Sequence, residues 1–99
     1  MKISIQSIDC SPRQELLDLV NEKFTKLTHF SDRILETKII LRVEKSEKRD
    51  NKTVEARLVI PGDDLFVKKH SESFEESLQK VYEVLQREIK DWKEKNNQS

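Results

Sequence analysis

At 99 residues the chain fits one domain, since single compact units run from about 50 to 250 residues. Hydrophobic residues make up 34% and charged residues 38%, so the core must be small, drawn from regularly spaced Leu, Ile, Val and Phe, beneath an ionic surface. Nineteen basic side chains against nineteen acidic ones exclude indiscriminate binding to phosphate, which needs unopposed cations, and leave the arrangement of charge to decide any nucleic-acid contact.

Ile3 and Ile5 alternate with Ser4 and Gln6, the pattern of a short first strand that ends at Asp9-Cys10-Ser11-Pro12. Ser11 as cap, Pro12 in the first helical position and Gln14 as the closing member of a capping box predict a helix directly afterwards. Leu17, Val20, Phe24 and Leu27 give that helix an apolar face, and Phe30 and Ile34 anchor the following loop. From Thr37 to Lys45 the period falls to two, with Ile39, Leu41 and Val43 on one face and Lys38, Arg42 and Glu44 on the other. Asp50-Asn51 signals a turn, and Val54, Ala56, Leu58 and Ile60 resume the alternation as the second arm of an antiparallel hairpin. Pro61-Gly62-Asp63-Asp64 sets the chain's only glycine where a tight turn needs positive φ, and Leu65 to His70 supplies a fourth strand. Ser73 with Glu76 forms a second capping box, after which Phe74, Leu78, Val81, Leu85, Ile89 and Trp92 trace one face of a long helix.

The order strand, helix, three strands, helix predicts an α+β fold in two layers, β-α-β-β-β-α, with two helices packed on one face of a four-stranded sheet. The first two strands are expected to be parallel, joined by a right-handed crossover. One domain over 1–95 and a polar tail over 96–99 complete the organisation. No run approaches the roughly 18 apolar residues of a membrane span, the first residues lack the pattern of an export signal, and a lone Cys10 forms no internal disulfide. A cytoplasmic location is therefore expected, with Cys10 a buried or half-buried small residue.

The patterns that carry chemistry are missing. There is no Gly-rich phosphate loop, no His-Glu-x-x-His, no cysteine pair and no Gly-x-Ser-x-Gly. A non-catalytic protein without cofactor or metal is expected, with His29 and His70 read as exposed or capping residues and Asp63-Asp64 as turn residues. Trp92 falls on an apolar stripe and reads as core, while Tyr82 stays open between core and a stacking role. The cations remain: Lys23, Lys26, Arg33, Lys38, Arg42, Lys45, Lys68, Lys69, Arg87, Lys90, Lys93 and Lys95 fall on helix ends, outer strand faces and loops, where long side chains reach phosphates. A merely solvated surface is the competing reading of the same residues.

Short words spread along the chain add a resemblance. They are Lys23-Phe24 with Lys26-Leu27, Asp32-Arg33-Ile34, Ile40-Leu41-Arg42-Val43-Glu44-Lys45, Ser73-Phe74-Glu75-Glu76, and Arg87-Glu88-Ile89 with Lys93 and Lys95. In order and spacing they resemble the ribosome hibernation-promoting factors, also called ribosome-associated inhibitors and sigma-54 modulation proteins. The resemblance implies a fold related to double-stranded RNA-binding domains. It also implies a site in the mRNA and tRNA channel of the small ribosomal subunit, occupied in slow growth or stationary phase so that translation stops and the ribosome hibernates. The small subunit and its ribosomal RNA would be the partners, with no membrane and no small-molecule substrate, and the free chain would be a monomer. Contacts to ribosomal RNA carry over to Lys23, Lys26, Arg33, Arg42, Lys45, Arg87, Lys93 and Lys95, with Lys38, Lys68, Lys69 and Lys90 added on charge and position. Glu88, Asp91 and Glu94 interrupt the basic end of the last helix, where the family is more uniformly basic, and the length matches the family's short form. Two rivals remain: a small module that binds a ribosomal or transcription protein without touching RNA, and a small enzyme built on Asp63, Asp64, His29 or His70.

Overall fold

Period-two and period-3.6 patterns each fold as their spacing dictates. The computed structural model describes residues 2–45 and 48–96, with the backbone alone for Asn96. In chain order it contains β1 (Lys2–Ile8), α1 (Gln14–Leu27), β2 (Glu36–Val43), β3 (Lys52–Ile60), β4 (Asp63–Ser71) and α2 (Phe74–Asn96). The strands form one sheet in the order β1-β2-β3-β4. β1 runs parallel to β2, and the remaining pairs are antiparallel.

The register sorts the sheet's side chains onto two faces. Ile5, Ile39, Ala56 and Val67 lie in one row, and Thr37, Leu58 and Leu65 in the next, on the side covered by the helices. Against them pack Leu16, Val20, Phe24 and Leu27 of α1 and Leu78, Val81, Leu85, Ile89 and Trp92 of α2, all buried. The helix-covered face thus holds the apolar core, and among the described residues no helix or strand lies over the opposite face.

α2 begins as its sequence dictates: the Glu76 backbone N–H donates to Ser73 Oγ at 3.1 Å. Removing that cap by Ser73→Ala should cost about 1 kcal/mol, read as a lower urea midpoint with unchanged slope. A buried serine cluster ties the same end to the sheet. Ser77 Oγ donates to the Lys52 carbonyl at 2.5 Å and lies 2.8 Å from Ser71 Oγ. These bonds satisfy hydroxyls that would otherwise be costly to bury. Pro61-Gly62 closes β3 onto β4 as a two-residue loop, with Gly62 at φ 80 as a type II turn requires at its third position.

Several details depart from the sequence-based expectation. α1 starts at Gln14, with extended Arg13 as N-cap and no side-chain cap bond, so the Ser11–Gln14 capping box does not form and Pro12 precedes the helix. Asp9 at φ 56 turns the chain after β1, and the Cys10 thiol donates to the Leu41 carbonyl at 3.5 Å. Leu16, with Val20, Phe24 and Leu27, forms the buried stripe of the helix, and Leu17 is only half-buried. β2 ends at Val43, which leaves Lys45 beyond the strand. α2 continues through Asn96, the first residue of the expected tail, while 97–99 lie outside the described residues.

Candidate nucleic-acid interface

The two helices lie side by side and point the same way. Leu16 and Leu19 of α1 border Phe74 at the start of α2. Lys23 reaches Gln79 and, further on, Thr28 to Arg33 border Trp92 and Lys93. Both helices therefore end at the same end of the molecule, where their unpaired carbonyls carry partial negative charge.

Cations gather at this shared end. Arg33 lies with its guanidinium over the Trp92 ring, 5.7 Å from the centroid, and Lys93 follows Trp92 on the exposed side of α2. Together with His29 they edge a cleft of about 440 Å³ between the 28–33 loop and the last turns of α2. The indole holds the guanidinium in place while its N–H groups remain free to face outward, since Arg33 as a whole is exposed. The cluster stabilises both helix ends and also presents positive charge at a concave surface. Arg87 and Lys90 continue the exposed side of α2, around a shallow groove that also holds Glu83, Asp91 and Glu94. Lys95 projects on the other side of Trp92, toward the Pro61-Gly62 turn, with Glu88 and Asp91 beside it.

Lys23 and Lys26 on α1 are less free. Lys23 is half-buried, its ammonium hydrogen-bonded to Gln79 Oε1 and 5.1 Å from the Tyr82 ring, which turns it into the seam between the helices. This contact gives Tyr82 a role within the fold. Lys26 is exposed and pairs with Glu22 one turn back at 3.7 Å, an exposed pair worth about 0.5 kcal/mol and easily exchanged for another anion.

Another set of cations lies on the far side of the molecule. Lys38, Arg42 and Lys68 stand on the uncovered sheet face, in alternation with the core residues. Arg42 is half-buried and engaged by Glu55 at 3.6 Å and Glu44 at 4.0 Å, and Lys68 is 3.8 Å from Glu44. Lys38 is exposed without an ion pair among the described residues. Lys69, grouped with Lys68 in the sequence reading, points to the opposite side of β4 because neighbouring strand residues alternate. It edges a groove with Lys80, Glu83 and Val84 of α2. Lys45 is exposed just after β2.

The structure thus brings Arg33 and Lys93 together, sets Arg87, Lys90 and Lys95 close by, and puts Lys38, Arg42 and Lys68 on another face. Three further residues take part. Arg57 belongs to the uncovered sheet face, which its odd position among Ala56, Leu58 and Ile60 already indicated; Lys80 stands beside Lys69; and His29 joins the Arg33 cleft. Among the described residues no group of three or more His, Cys, Asp or Glu is placed to hold a metal ion, and no helix is long and apolar enough to cross a membrane. His70 is in separate surroundings from His29, its Nδ1 3.1 Å from Asp50 Oδ2.

Residues 3–97 match the sequence profile of a family described as sigma 54 modulation protein / S30EA ribosomal protein. Two relatives from Pseudomonas putida, each named ribosome hibernation promoting factor, are 30% identical over 95 residues, spanning 96% of this chain and 89% of theirs. A ribosomal subunit interface protein from Coxiella burnetii superposes with a TM-score of 0.80 at 20% identity, over 94% of this chain and 98% of that one. The N-terminal domain of Thermus thermophilus Protein Y gives 0.79 at 17%, over 93% and 99%. These likenesses share the fold of two helices on one sheet.

Proposed function

Since the chain belongs to the sigma 54 modulation protein / S30EA ribosomal protein family and serves in ribosome hibernation, we propose that it acts by binding ribosomal RNA of the small subunit through its helical layer. The site is the mRNA and tRNA channel, in the cytoplasm of slowly growing cells, and occupancy by the protein excludes both ligands without any catalytic step. The free chain is a monomer. What carries this reading is the convergence of Arg33 and Lys93 at the common end of α1 and α2, with Arg87 and Lys90 further along the exposed side of α2. A-form RNA hides its base edges in a deep groove and offers backbone instead, so a surface of long cations on a rigid helix pair suits it without reading sequence.

A protein partner is the alternative. It is favoured by the carboxylates that lie within 4.0 Å of Lys26, Arg42, Lys68 and Lys80, which reduce the charge available to phosphate. Salt separates the two. With about six phosphate contacts, affinity for purified small subunits should fall roughly 1,000-fold between 50 and 200 mM salt in co-sedimentation. A change of less than about threefold would replace the RNA reading with a protein interface.

A further inference from the structure

We propose that the uncovered face of the sheet is a second RNA-binding surface, on which an unpaired base stacks against Phe66 while Lys38, Arg57 and Lys68 hold the phosphates beside it. The proposal rests on the ribosome-bound reading for the source of the RNA and on separate residues for the contact.

Phe66 is 50% exposed on β4, and the helices cover the other side of its strand. One row of the register runs Lys38, Arg57, Phe66 across three adjacent strands. The Arg57 guanidinium lies 5.4 Å from the Phe66 centroid, so the ring already has a planar cation as a neighbour and keeps an open surface toward solvent. Two strand spacings separate Lys38 from Phe66, about 10 Å, room for a base on the ring and the backbone that flanks it. Aromatic rings bordered by cations on a flat sheet bind single-stranded nucleic acid with little sequence preference, because every base offers a π-face.

Charge in the row through Phe66, though not over the face as a whole, suits a polyanion. The row through Phe66 carries no carboxylate. Glu55 and Glu44 engage Arg42, Glu44 also lies 3.8 Å from Lys68 as an exposed pair that a phosphate can displace, and Glu36 and Asp64 share the neighbouring row. Asp64 is 3.4 Å from Arg57, but both side chains are more than two-fifths exposed, and water screens a pair of that kind enough for a phosphate to displace it. Phe66 and Leu35 are the large apolar side chains left exposed among the described residues. With cations on the helical layer and on the sheet, the protein would be held between two RNA surfaces.

Two measurements on the full chain test this. In the first, p-benzoylphenylalanine replaces Phe66 and the protein is irradiated on purified small subunits. An adduct with ribosomal RNA is expected; an adduct with a ribosomal protein alone, or none from a variant that still co-sediments, overturns the proposal. In the second, a 12-nucleotide oligouridylate is titrated into labelled protein and followed by NMR. Shifts should centre on Lys38, Arg57, Phe66 and Lys68, with affinity about tenfold weaker in Phe66→Ala and retained in Phe66→Tyr. Equal affinity of Phe66→Ala and the parent chain, or shifts at these residues that track protein concentration without RNA, overturns it. The oligouridylate arm needs no ribosome. Failure of the parent chain to co-sediment would sink the ribosome-bound reading, and the titration would still decide the sheet face.

Discussion

The variant carrying Arg33→Glu, Arg87→Glu and Lys93→Glu should lose small-subunit binding by on the order of 100-fold or more, while its unfolding midpoint stays within a few degrees of the parent. All three side chains are exposed on the helical layer, so reversal places three negative charges where phosphates would approach and creates no cavity. Hydrogen bonds to charged groups contribute about 1.5 kcal/mol or more each, and three of them already exceed the stated factor before repulsion is added. Arg33→Glu also removes the guanidinium from the Trp92 ring, which should cost about 0.5 to 1 kcal/mol at this exposed site. Co-sedimentation at fixed salt reads the binding, and circular dichroism on heating reads the fold. Retained binding in moderate salt would move the interface away from the shared helix end.

The second large effect concerns the core. Phe24 is fully buried between α1 and the rest of the core. Phe24→Ala should remove about 3 to 5 kcal/mol, since deletion of a buried ring costs its transfer energy and leaves a cavity that the close-packed surroundings only partly fill. Domains of this size are stable by about 5 to 15 kcal/mol, so the variant should melt at least 12 °C lower and, at the extreme, fail to fold at 37 °C. Urea unfolding gives the free energy directly. A loss below about 1 kcal/mol would mean that α1 does not dock on the sheet as described.

Much of this architecture is legible in the residues themselves. Ile39, Leu41 and Val43 announce a strand with a buried face, and Leu78, Val81, Leu85, Ile89 and Trp92 announce a helix, because burial on one side imposes periods of two and 3.6. Ser73 caps α2 as its spacing from Glu76 foretells. The Ser11 signal misleads: the chain is still extended at Arg13, which becomes the N-cap, and Cys10 just before meets Leu41, 31 residues away, a contact no local pattern records. The candidate site is legible in part. Strand alternation alone separates Lys68 from Lys69, and it would have placed Arg57 beside Lys38 had the outer face of β3 been followed. Which cations are neutralised is another matter. Arg42 meets Glu55 only because β2 and β3 pair in one particular register. Arg33 meets Trp92 across 59 positions of sequence, a contact that the shared direction of the helices creates and no local pattern records.

The crossover that makes β1 parallel to β2 sets the order in which the molecule is completed. β1 and α1 emerge first during synthesis, yet the strand that neighbours β1 in the sheet is β2, and the stripe of Leu16, Val20, Phe24 and Leu27 stays uncovered until later elements arrive. β2, β3 and β4 follow and close through short connections, but their buried face remains bare until Leu78 to Trp92 of α2 arrive. Contacts so distant along the chain give no partial fold worth keeping, so the domain assembles cooperatively after α2 has been made. The shared helix end, with Arg33 over Trp92, thus exists only after the last of the six elements has docked, and no earlier stretch of the chain can present it.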